Sequence, residues 1–184
     1  MSGLTVTEPS RTHPKGPVVR RPLIGLLLWT LLLLALGVVA ALLWKAVAEP
    51  SAYVVTERGA VLTEEAIRGQ FQVVAAFMAV GALVSLVWGG VVAVVMNRLG
   101  WALVPWFVVA TLAAGGVAWR LGTWWGPSDP TAASVRGLSV GDEVPSALQV
   151  DTLAPFLAWP AGALLALLVV TYLSGLRSTA RPPR

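Results

Sequence analysis

The sequence predicts an all-α integral membrane protein with four transmembrane helices, and three observations predict it. Of its 184 residues 57% are hydrophobic and 12% charged, against the roughly 25% charge of an ordinary soluble domain. The apolar residues gather into four long runs, each of the ~20 residues that a ~30 Å hydrocarbon core requires. Between the runs, charge is sorted by sign, with bases on one side of the predicted membrane and acids on the other.

Residues 1–22 are polar and contain Pro14, Pro17 and Pro22. Such a segment buries too little apolar surface to fold by itself and reads as a disordered tail. The first span covers 23–47, with Lys45 near its end as its one charge. The tail supplies a basic flank, and Ala46-Val47-Ala48 has the pattern of a signal-peptidase site. The apolar run exceeds the ~7–15 residues of a cleaved signal, however, so an uncleaved anchor is preferred. Arg20-Arg21 lacks the rest of a twin-arginine signal. Residues 48–69 form the first outer loop. Within it, Tyr53-Val54-Val55-Thr56 and Ala60-Val61-Leu62 flank Glu57-Arg58-Gly59, the pattern of a small hairpin. Thr63 reads as a helix N-cap, with Glu64 and Glu65 in the first turn, where carboxylates suit the helix dipole.

The second span is 71–96, on a helix that starts at Glu64 and projects beyond the outer surface. Asn97-Arg98-Leu99-Gly100 is a tight inner turn. The third span covers 101–121, with Pro105 where a missing amide donor costs least. The second outer loop, 122–153, has extended-looking pieces at 133–140 and 148–150. The fourth span is 154–176. Pro155 suits its first turn, and Pro160 predicts a kink near Phe156. Residues 177–184 are a short basic tail. The two outer loops together predict a small extracytoplasmic β-hairpin cap.

The charges favour one orientation. With both termini inside, the inner side carries Arg11, Lys15, Arg20, Arg21, Arg98, Arg177, Arg181 and Arg184 against Glu8. The outer loops carry Arg58, Arg68 and Arg136 against Glu49, Glu57, Glu64, Glu65, Asp129, Asp142, Glu143 and Asp151. Lys/Arg bias places the basic side in the cytoplasm of a plasma (inner) membrane. The pI near 10.3 is then explained by inner flanks facing anionic lipid, and nucleic-acid binding is not required. Trp44, Trp119, Trp124, Trp125 and Trp159 are expected near the outer boundary. Trp101 and Trp106 are expected near the inner one, with Trp29 somewhat deeper. Trp88 falls inside the second span, where facing lipid and filling the bundle are both open.

Small residues recur every fourth position: Gly37 and Ala41; Gly81, Ser85, Gly89 and Ala93; Ala110, Ala114, Ala118 and Gly122; Ala154, Ala158, Gly162 and Ala166. Such stripes let helix backbones approach, although Ala and Gly are common enough here for some to arise by chance. The packing surface these stripes predict is Gly81, Ser85, Gly89, Ala110, Ala114, Ala118, Ala158 and Gly162.

The spans offer little chemistry. Their middles hold hydroxyls such as Thr30, Ser85, Thr111 and Thr171, with no carboxylate, His or Lys of the kind a proton relay or coupled transporter uses. There is no cysteine, and the one histidine, His13, lies in the tail. Thiol catalysis and a multi-histidine metal site are therefore excluded, and no cofactor or metal is predicted. The adjacent acids Glu64-Glu65 and Asp142-Glu143 lack an accompanying nucleophile or phosphate-loop motif and read as solvated or capping groups. An enzyme is not expected. The sharpest polar feature is the matched pair Trp44-Lys45 and Trp119-Arg120 at the outer ends of the first and third helices. Its simple reading is dipole complementation and snorkelling. Its functional reading is an anion or lipid-headgroup contact.

The segment from Ala48-Glu49-Pro50 through Tyr53-Val54-Val55-Thr56 to Gly59, the helix 71–80, and Trp119-Arg120-Leu121-Gly122 resemble a family of actinobacterial membrane proteins, with mycobacterial members, defined as a domain of unknown function. The resemblance spans about residues 20–176. It implies four spans and an actinobacterial inner membrane, and supplies no activity, substrate or site residue. The functional expectation is a non-catalytic accessory or scaffold component of the cell envelope, partnered by another membrane protein or a second copy. The alternative is a small transporter or lipid/anion-binding protein using the outer helix ends.

Overall fold

The computed structural model describes residues 20–48, 52–56, 59–61, 64–127, 139, 142–145 and 148–179. Helix α1 runs Arg20–Val47. Strands β1, Ala52–Thr56, and β2, Gly59–Val61, precede helix α2, Glu64–Val95. A 3-10 segment, Asn97–Ala102, turns the chain into α3, Leu103–Trp125. Strand β3, Glu143–Pro145, and a 3-10 turn, Ala154–Leu157, lead to α4, Ala158–Thr179. The segments 23–47, 68–95, 99–125 and 154–176 are each long and apolar enough to cross a membrane. Their exposed side chains include Leu27, Leu28, Leu83, Val94, Val109 and Leu168, an outward apolar surface that lipid covers at no cost.

The termini of the helices follow local chemistry. Asn97 opens the inner turn, and Leu99 N–H donates to Met96 O at 3.0 Å. Gly100 takes φ +52°, a conformation that a side chain disfavours. Helix α3 continues to Trp125 instead of ending at Leu121. Gly122 lies within the helix, and its missing side chain leaves room for the Trp44 ring. The fourth span changes helix type between Leu157 and Ala158. Pro160 thus sits in the first turn of α4, where its absent N–H breaks no bond. The Thr63 cap, and 133–138 with 140 of the extended piece expected at 133–140, lie outside the described residues.

Backbone approach pairs helices that are not consecutive. A Cβ at Gly37 of α1 would stand 2.8 Å from Ala114 O of α3, and one at Gly122 would fall on Trp44. The two helices therefore run parallel. Gly89 lies against Ala163, and Gly162 against Ala82 and Ser85, which pairs α2 with α4 in the same way. One hairpin thus stacks on the other, and Gly makes the close approach possible where no hydrophobic drive joins helices in lipid. Along the stripes, Gly37, Ala41, Gly81, Ser85, Gly89, Ala93, Ala110, Ala114, Ala118, Gly122, Gly162 and Ala166 are buried. Ala158 is half-buried and Ala154 exposed.

Aromatic side chains fill the space between the stripes. In the half of the bundle where α1 ends, Trp44 meets Phe77 edge-on with centroids 5.1 Å apart. Phe77 meets Phe156 at 5.2 Å, and Phe156 meets Trp119 at 6.1 Å. With Trp44 seated on Gly122, this ring joins all four spans. In the opposite half, Trp88 lies 5.2 Å from Trp106 and 5.1 Å from Phe107. Trp88 N–H donates to Trp29 O at 3.2 Å, and Trp106 N–H donates to Thr30 Oγ1 at 3.1 Å. Trp88, 2% exposed, therefore fills the bundle and does not face lipid.

Outside the helices, β1 pairs antiparallel with β2 through Val54↔Val61, Val55↔Ala60 and Thr56↔Gly59. It pairs on its other edge with β3 through Ala52↔Pro145, Tyr53↔Val144 and Val54↔Glu143. The sheet order is β2-β1-β3, so one short sheet ties the α1–α2 connection to the α3–α4 connection.

Candidate functional site

The end of the bundle nearest this sheet holds most of the residues singled out from sequence. Helix α1 delivers Trp44 and Lys45 to it, and α3 delivers Trp119 and Arg120. One residue of an α-helix turns the side chain by ~100°, so each Trp and its neighbouring base point in different directions. Trp44 faces inward with no exposed surface. Its N–H donates to Val73 O of α2 at 2.8 Å. Trp119 is half-buried against Phe156, and its N–H is buried without an acceptor among the described residues.

Lys45 and Arg120 are both exposed. Arg120 follows buried Ala118 by two residues, ~200° around α3, and so points away from the bundle. Lys45 leaves α1 beside its buried stripe. The structure therefore joins the two indoles through the phenylalanines and sets the two cations outside that ring. The four side chains expected to share an anion contact do not line one recess, and the Trp44 donor is already committed to backbone.

The tryptophan frame needs correction at two further positions. Trp159, expected at the outer boundary, has no exposed surface. Its indole lies over Gly81 on one side and Gly115 on the other. Trp106, expected at the inner boundary, is drawn into the inner aromatic cluster by its bond to Thr30. Trp124 and Trp101 are strongly exposed, at 76% and 89%, Trp124 near the end of α3 and Trp101 in the 3-10 segment that precedes it. Their 23-position separation corresponds to about 35 Å of helix rise, near the ~30 Å of a hydrocarbon core.

The second outer connection contributes residues that the sequence reading noted only as an extended piece. Leu148 and Val150 are buried while Gln149 between them is exposed. Leu148 lies against Gly126, just past the end of α3, one turn beyond the Gly122–Trp44 contact. The apolar–polar–apolar pattern of 148–150 was the available signal, but nothing local says that it folds back onto a helix end. Asp142 accepts a bond from Ser139 N–H at 2.8 Å and closes a turn before β3. This is a local structural use for one of the adjacent acids. Glu143 lies in β3, and the Glu64 and Glu65 side chains lie outside the description.

Within the spans, Ser85 and Thr111 are the buried polar side chains among the described residues. Ser85 Oγ donates to Gly81 O at 2.7 Å, and Thr111 Oγ1 donates to Phe107 O at 2.6 Å. Both hydroxyls are satisfied by their own helix, as is usual for such residues in lipid. No His, Cys, Asp and Glu cluster suited to a metal occurs among the described residues. No known protein family, curated protein or solved structure matches the chain.

Proposed function

We propose that this protein is a non-catalytic accessory or scaffold component of the cell envelope, multi-pass in the inner membrane with both termini cytoplasmic. The observation that carries this reading is the filling of the bundle. Trp44, Phe77, Trp88, Phe107 and Trp159 occupy its interior, and the buried hydroxyls bond within their own helices. Such an interior builds a rigid body and, among the described residues, holds no ionisable side chain to meet a passing solute or a reacting bond. The outer connections, which hold most of the acids, are joined in one sheet. That sheet forms an extracytoplasmic cap and is the surface on which a partner acts. The positive-inside distribution supports the orientation.

The test is a native pull-down of the tagged chain in mild detergent, read by mass spectrometry and by mass of the intact complex. A stoichiometric second membrane or envelope protein is expected. Recovery of the chain alone, or only as a homo-oligomer, contradicts the accessory role.

A second reading is favoured by the exposure of Lys45 and Arg120 at the outer helix ends. Each contacts an anionic lipid headgroup, at about 1 kcal/mol per basic residue near a charged surface. Because the two side chains diverge, they act at separate contacts. Under this reading Lys45→Ala with Arg120→Ala lowers the anionic lipid that co-purifies with the protein, and unchanged lipid content excludes it.

A further inference from the structure

We draw no further inference here: the strongest candidate, the two acceptor-less indole N–H groups of Trp119 and Trp159 in the outer aromatic cluster below Leu148 and Val150, carries nothing because the Trp159 donor edge is closed against Gly81 of α2 and nothing in the structure shows what ligand would accept from either group.

Discussion

Trp44 and Trp159 carry the same side chain to the same half of the bundle and meet opposite fates there. Both are fully buried. Trp44 places its N–H on Val73 O, whereas Trp159 buries its N–H without an acceptor among the described residues. Replacing either by Phe removes similar volume, but only Trp44→Phe removes a hydrogen bond, worth about 1 kcal/mol. Trp44→Phe is therefore expected to be the more destabilising by about that amount, measured by SDS-titrated unfolding in mixed micelles. Equal losses would deny the Trp44 bond any weight. The glycines allow a comparison of the same kind. Gly122→Leu drives a side chain into the Trp44 ring and is expected to cost about 1–3 kcal/mol or more, as overpacking does. Gly116→Leu, on the same helix with nothing within 4 Å of its Cβ position, is expected to leave the unfolding midpoint nearly unchanged. A large loss at Gly116 would place that face against protein.

At the level of elements, the four helices were legible because lipid demands uninterrupted apolar length and a helix satisfies its own backbone. Their ends were less so. The third span was expected to end at Leu121, whereas α3 continues through Gly122, which seats the Trp44 ring of a parallel neighbour, to Trp125. The same reason hid the tryptophans. A Trp near a span's end has the composition of an interfacial anchor, and its inward placement depends on a glycine 44 to 78 positions away, as Trp159 depends on Gly115 and Gly81. The matched Trp-basic pairs were visible, but their divergence was not, since helix rotation relative to neighbours follows from packing. Two element-scale outcomes follow. Gly100→Ala places a side chain at φ +52° and is expected to cost about 1 kcal/mol, read by the same unfolding assay. Leu148→Asp removes a buried apolar contact worth about 1.5–3 kcal/mol and puts charge against Gly126. Protease added to the outer face should then cut the α3–α4 connection faster while all four helices remain inserted. Unchanged cleavage would mean that Leu148 does not hold that connection to the bundle.

The whole molecule is two helical hairpins stacked so that α1 lies along α3 and α2 along α4, tied at one end by the β2-β1-β3 sheet. Four crossings would put the termini on one side, and the proposed orientation, argued from the sorting of charge, makes that side the cytoplasm. The chain has no cysteine, so single cysteines report topology without a background. The most direct measurement is labelling of Ser10→Cys, Ser139→Cys and Ser178→Cys by a membrane-impermeant maleimide in intact cells and again after permeabilisation. The account predicts that Ser139→Cys labels in intact cells, while Ser10→Cys and Ser178→Cys label only once the membrane is opened. Labelling of either terminal position in intact cells, or protection of Ser139→Cys, would contradict it.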